Sequence, residues 1–175
     1  MGAGKSSVGR CLWRQTGLTL FDIDEMVSSK FGIPISEIFS ARGEGEFREA
    51  ETGMLRTLSS GQRTIIVTGG GIVLREENLD LLKRLGAVVW LDADEKTLFK
   101  RASQAGNRPL LQRKNPRKTF AQILQTRRPL YAKIADIRVE TSVLTDEEVA
   151  VAILSKIRSH YRTSAPASPV PATAS

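Results

Sequence analysis

At 175 residues, 41% of them hydrophobic, the chain has the length of one domain and enough apolar content to bury a core, and no apolar run approaches the ~20 residues of a membrane span. A net charge of +7, from 26 basic and 19 acidic residues, favours anionic partners such as nucleotides and phosphorylated or carboxylated small molecules. The single cysteine, Cys11, excludes an internal disulfide, and glycine and serine occupy the place of a signal peptide's apolar core, so the expected location is the cytoplasm.

The chain opens on Met-Gly-Ala-Gly-Lys-Ser-Ser, and a helix is predicted over 5–15. A short strand over 18–21 ends in Asp22-Ile23-Asp24; a helix over 26–31 stops at Gly32, and a short helical piece runs over 36–39. Phe47, Ala50, Met54, Leu55 and Leu58 recur at helical spacing and place a helix over 44–58. The apolar run 64–68 reads as a buried strand and leads directly into Gly69-Gly70-Gly71. A helix over 78–85 closes at Gly86, a second buried strand covers 87–91, and a helix covers 95–104.

Residues 106–117 are basic, with Pro109 and Pro116, and read as a mobile loop. A helix over 119–128 is expected to stop at Pro129. A strand follows over 137–140, and Thr145-Asp-Glu-Glu148 is a capping-box pattern opening a last helix with Val149, Ala152, Ile153 and Ile157 on its apolar face. From His160 onward proline, alanine and serine dominate, so 161–175 is expected to be a disordered tail. Strands alternating with helices define an α/β domain with a largely parallel sheet, whose ligands bind at the carboxyl ends of the strands.

Gly4-Lys5-Ser6 is the second half of a phosphate-binding loop: small residues let backbone N–H groups face phosphate oxygens, Lys5 reaches the outer phosphates, and the Ser6 hydroxyl ligates Mg²⁺. Met1-Gly2 with Ser6 also meets the looser N-myristoylation pattern, which explains nothing further along the chain. Asp22 and Asp24, two apart on a strand, can share a cleft, one helping to hold hydrated Mg²⁺ and the other accepting a proton from a hydroxyl. Three glycines after a buried strand allow close approach to the backbone. Arg48 and Glu51, three apart on a helix, are either a surface ion pair or an arginine aimed at a carboxylate and oriented by its glutamate. Arg108, in the basic loop, could close over phosphates. Cys11, between apolar neighbours, reads as a packed thiol and His160 as a solvated surface histidine; the basic residues show no aromatic interleaving, so nucleic acid is not the expected partner.

The order of these blocks resembles the shikimate kinase family: Gly-Ala-Gly-Lys-Ser-Ser, Asp-Ile-Asp24, Phe-Arg48-Glu-Ala-Glu51, Gly69-Gly-Gly71, Arg108-Pro-Leu-Leu and Arg127-Arg-Pro-Leu-Tyr131, over residues 1 to about 157. The resemblance implies a three-layer P-loop kinase core with a five-stranded parallel sheet. It also implies a domain over 1–160, with a helical substrate insert over about 24–60 and a mobile lid over about 106–118. The implied reaction moves the γ-phosphoryl of ATP, with Mg²⁺, to the 3-hydroxyl of shikimate in the route to aromatic amino acids, in a monomer free of nucleic acid and membrane. Gly2, Ala3, Gly4, Lys5, Ser6 and Ser7 become the phosphate cradle, Ser6 and Asp22 the metal side, and Asp24 the group holding the substrate hydroxyls and taking the proton. Arg48 and Arg127 grip the substrate carboxylate with Gly70, Glu51 anchors Arg48, Arg108 is the lid arginine, and Arg101 and Leu144 lie near the adenine.

Only four strands are legible, and the implied fifth belongs in the middle of the sheet with the loop's first glycine after it. The expectation is that Met1 is an internal methionine and that a chain starting there leaves two strand edges unpaired, folds poorly and binds ATP weakly. Other readings are a gluconate-type or nucleoside monophosphate-type kinase, and a truncated, catalytically impaired nucleotide-binding module.

Overall fold

The computed structural model describes residues 2–104 and 115–164. Helix α1 (Lys5–Thr16) leads to strand β1 (Thr19–Asp22), then α2 (Ile23–Phe31) and α3 (Ile35–Thr57). Strand β2 (Thr64–Val67) enters the triple-glycine turn and one turn of 3₁₀ helix at Ile72–Leu74 before α4 (Glu76–Leu85). The second half runs β3 (Val89–Asp92), α5 (Glu95–Gln104), α6 (Pro116–Ile134), β4 (Ile137–Glu140) and α7 (Asp146–Ser164). Among the described residues no helix is long and apolar enough to cross a membrane.

Local chemistry explains most boundaries. Gly17 and Gly32 close α1 and α2 with φ of 67° and 69°, each donating its N–H to a carbonyl four residues back. Thr145 Oγ1 accepts from the Glu148 N–H while Glu148 Oε2 accepts from the Thr145 N–H, completing the expected capping box. The stretch 35–57 holds two helical pieces joined at Gly43, whose φ of 82° and ψ of 168° break the spiral.

Two expectations are corrected. Helix α6 does not stop at Pro129 but runs through it to Ile134. A proline inside a helix removes one backbone bond; here Leu130, Tyr131 and Ile134 pack into the core beyond it, and that burial holds the last turn in place. The last helix continues to Ser164, four residues into the stretch that composition marks as tail, and 165–175 lie outside the described residues.

The strands form two parallel pairs rather than one continuous sheet. β1 pairs with β2, Thr19 opposite Thr64 through Asp22 opposite Val67. β3 pairs with β4, Val89 opposite Ile137 through Asp92 opposite Glu140. β2 and β3 are not bonded to each other, and residues of both border a cavity of about 930 Å³ that also reaches Lys5 and the inner faces of α1, α6 and α7. Among the described residues, β2 and β3 therefore each have one unpaired edge.

Packing follows this division. The main core, Ile23, Val27, Ile38, Phe47, Leu55 and Ile72 with Ile134, lies beneath α2, α3 and the glycine turn. A second cluster joins Ala3 to Leu98, Ala102, Phe120 and Leu124 of α5 and α6. A third packs Val8 of α1 against Ile137, Val139, Val149 and Ile153. Cys11 is buried there, its thiol facing Glu147 while Arg14 donates to its sulfur, as a packed cysteine should be. His160 lies on α7 with its ring against Tyr161.

Candidate active site

The described part of the phosphate loop meets the end of β1. Gly2 and Gly4 adopt φ of 72° and 75°, left-handed conformations that glycine enters without steric cost. A side chain on Gly2 would also strike the Leu98 carbonyl, and Ala3 is buried beside it, so α5 braces the entry to the loop. From Gly4, which caps it without a side-chain hydrogen bond, the chain turns into α1, whose positive dipole end lies at the glycine loop. The Ser6 hydroxyl donates to Asp22 Oδ2 at 3.1 Å, joining the two residues assigned to the metal. The other Asp22 oxygen accepts the Asp24 N–H and caps α2.

These two groups suit Mg²⁺. One hydroxyl and one carboxylate in contact at a helix N-terminus form a small oxygen donor set, and Mg²⁺ usually keeps waters and phosphate oxygens in its remaining positions. Among the described residues there is no cluster of three or more His, Cys, Asp or Glu placed to hold a metal ion.

Beside the loop, Asp24, Glu51 and Arg48 converge on the triple-glycine turn. A β-carbon on Gly69 would stand 2.7 Å from Glu51 Oε1 and 2.8 Å from Asp24 Oδ1. One on Gly71 would stand within 2.4 Å of three guanidinium atoms of Arg48. The space a side chain would take at Gly69 and Gly71 is thus occupied by the ends of Asp24, Glu51 and Arg48, which a larger residue would push aside. Tyr131 Oη donates to the Gly70 carbonyl at 2.5 Å and holds the turn from α6. The buried Asn78 amide donates to the Ile72 carbonyl and holds it from α4.

Arg48 Nη1 donates to Glu51 Oε2 at 2.5 Å, and the Glu51 side chain is fully buried. Burial opposes the Arg48 charge, but Glu51 and then Glu44 outweigh it and raise its pKa above the ordinary value. Burial, reinforced by the nearby Asp24 charge, lifts Glu51 above the ordinary carboxylate value despite Arg48 and Arg127. Arg127 is itself buried on α6, close enough to Glu51 and Tyr131 to act on both. Burial also raises the Tyr131 phenol, with Arg127 and Arg48 pulling it back. Two arginines, two carboxylates and a phenol therefore stand together beside the triple-glycine turn.

The remaining assigned residues lie elsewhere. Arg101 of α5 donates to the Thr141 hydroxyl and carbonyl, tying α5 to the end of β4. Leu144 packs on the core cluster of Val8 and Val149, and Asp146, two residues on, approaches Gly4. Arg108 and most of the assigned lid lie outside the described residues. Two participants were not singled out from sequence. Tyr131 is four residues after Arg127 and so on the same helical face, a signal in plain sight. Glu44 has the same relation to Arg48: both Arg48 Nε and Nη2 donate to its Oε1.

A glycine loop opening a helix, a hydroxyl–carboxylate pair beside it, and an arginine–carboxylate cluster against the glycine turn after β2 have the arrangement of a small-molecule phosphotransferase of the P-loop class. The family model "Shikimate kinase" matches residues 1–158. A shikimate kinase from Thermodesulfovibrio yellowstonii is 44% identical over 156 residues, 89% of this chain and 90% of its own length. One from Symbiobacterium thermophilum is 38% identical over 160 residues, 90% and 92% of the two chains. Among solved structures, shikimate kinase from Acinetobacter baumannii in complex with shikimate superposes with a TM-score of 0.86 at 37% identity, covering 91% of this chain and 89% of that one. The chain belongs to the shikimate kinase family, which sets aside the gluconate-type and nucleoside monophosphate-type readings.

Proposed function

We propose that the protein transfers the terminal phosphoryl group of ATP to the 3-hydroxyl of shikimate, in the route to aromatic amino acids. The observation that supports this reading is the convergence of Asp24, Glu51 and Arg48 on the glycine turn, with Arg127 close to Glu51, in a member of this family. A ring acid with several hydroxyls needs a fixed cationic clamp for its carboxylate and a proton acceptor near one hydroxyl, and the neighbouring arginines and Asp24 are of the types that would supply them.

In this reading residues Gly2 to Ser7 cradle the phosphates, with Lys5 on the outer ones. Ser6 and Asp22 hold Mg²⁺, which when bound would neutralise charge on the transferring group. Arg48 and Arg127, with the Gly70 backbone, fix the acceptor carboxylate, and Glu51 fixes Arg48. Asp24 holds the acceptor hydroxyls and takes the proton as the oxygen attacks. Arg101 and Leu144 lie on the adenine side, and Arg108 acts from the lid. The protein works on its two small substrates as a cytoplasmic monomer; a buried lone cysteine accords with a reducing compartment.

The test is a coupled assay of this chain with ATP, Mg²⁺ and shikimate against other hydroxy acids, repeated with Asp24→Asn. Turnover is expected with shikimate alone, and the substitution should lower kcat by about 10²–10⁴ while melting stays nearly unchanged. Equal turnover of a neutral polyol, or an undiminished Asp24→Asn enzyme, would overturn the assignment.

A further inference from the structure

The guanidinium of Arg48 has two usable edges, and they are occupied in different ways. Nη1 is held by Glu51, whose side chain is fully buried and cannot leave without exposing a charge inside the core. Nε and Nη2 both point at one oxygen of Glu44, at 3.2 and 2.8 Å. That edge is the fork on which arginine binds a carboxylate in two-point geometry. It already carries a carboxylate, from the protein itself.

Glu44 is built to let go. Its side chain is 49% exposed against 12% for Arg48, so on release it returns to water. Exposed ion pairs four residues apart on a helix are weak. The residue before it, Gly43, has left the helical path at φ 82° and ψ 168°, a conformation that other residues rarely adopt. Apart from chain neighbours and the helix's own backbone, no atom lies within 4 Å of where a β-carbon on Gly43 or Gly45 would stand, so no other part of the fold packs against those two positions flanking Glu44. Phe47 and Phe39, whose rings lie 5.1 and 5.9 Å from the Arg48 guanidinium carbon, keep the arginine in place when its outer partner departs.

We infer that Glu44 is an internal stand-in for the acceptor's carboxylate. It keeps the fork of Arg48 neutralised and oriented in the empty pocket and yields it when an acceptor brings its own carboxylate. Glu44 is thereby a specificity-determining residue. A neutral polyol gains nothing by displacing it, whereas an anionic ring acid exchanges one carboxylate for another and adds the contacts of its ring. The inference rests on Arg48 as the acceptor clamp, and so on the function proposed above.

The experiment compares wild type, Glu44→Gln and Glu44→Ala in two measurements. In steady-state kinetics KM for shikimate should fall about two- to fivefold in the variants, the factor an exposed ion pair supplies, with kcat moving less than KM and KM for ATP unmoved. In calorimetry benzoate, a bare ring carboxylate, should bind more tightly to both variants by a similar factor, and an Arg48→Ala background should abolish that gain. A merely structural role would lower melting temperature and leave the KM-to-kcat split untouched. An unchanged or raised KM, or benzoate that binds the variants no better than wild type, overturns the inference. If shikimate is not turned over by any of the proteins, the acceptor assignment fails, and the benzoate titration still decides the role of Glu44.

Discussion

The core behind Arg48 and the centre of the sheet are built from similar apolar residues and reach different states. Around Arg48 the elements α2, α3, the glycine turn and α6 close on one another, and Ile23, Ile38 and Leu55 are fully buried, as is the charged Glu51. Between β2 and β3, Ile65, Ile66, Val89 and Trp90 are only partly covered and border a cavity. The difference lies in partners rather than composition. A helix completes its burial with one apolar stripe against a neighbour, whereas a central strand needs both edges bonded and both faces covered. That core can therefore be rigid enough to hold an arginine against bare backbone while the sheet centre beside it stays loosely packed.

The largest expected effect separates the two regions by stability. Leu55→Ala should cost about 2.7–5 kcal/mol in denaturant unfolding, the range for a large aliphatic removed from a closed core. Ile65→Ala, at the cavity, should cost at most about half as much. Equal losses would break the comparison, because the cavity-side strand would then be as tightly packed as the core behind Arg48.

A glycine substitution sharpens it at the site. Gly71→Ala forces the Arg48 guanidinium off the turn, so KM for the acceptor should rise about tenfold or more, the value of a charge-assisted hydrogen bond, with ATP affinity little changed. An enzyme with unaltered acceptor KM would show that the close approach of Arg48 to the backbone carries no binding.

A smaller effect concerns pH. Glu51 has its folded pKa raised, so the folded state holds a proton there more readily than the unfolded chain. Its contribution to stability is fully present below about 4.5, the ordinary value, and is lost as pH rises through the folded value. The stability difference between wild type and Glu51→Gln should therefore shift against wild type as pH is raised above that point. A flat difference curve would remove the claim that burial and Asp24 outweigh Arg48 there.

The smallest effect lies on the other side of the cavity. Asp94 follows β3 and caps α5, accepting from the Thr97 N–H, and its hydrogen bonds to Thr97 lower its pKa to about 2. A lowered carboxylate contributes stability that is present above its unfolded value and lost as pH falls through the folded one. Asp94→Ala should melt slightly below wild type at pH 7, and the gap should close as pH approaches 2. A gap independent of pH would point to helix propensity rather than the cap.

Much of the site was legible because its signals are local. Ser6, Asp22, Asp24, the glycine turn, Arg48 and Glu51 each sit in a short block whose spacing carries a chemical reason, Arg127 came from the family resemblance, and the fold brings Asp24, Arg48, Glu51 and Arg127 near one another. Why Gly69 and Gly71 are glycines was not legible, since the side chains pressing on them come from α2 and α3. The run of α6 through Pro129 was hidden for a similar reason: proline argues locally for a stop, and only the packing of Leu130, Tyr131 and Ile134 reverses it.

By itself the sequence determined the class of fold, the alternation of strands and helices, the capping at Thr145 and Glu148, and the order of the chemical blocks. Each of these depends on periodicity or on groups a few residues apart. Only the tertiary structure decided which strands pair and in what register, β1 with β2 and β3 with β4, and that Glu44 occupies the fork of Arg48. Edge pairing depends on which strands come to lie side by side, and the competition for an arginine's donors on which carboxylate stands nearest in space; neither is written in the spacing of residues along the chain.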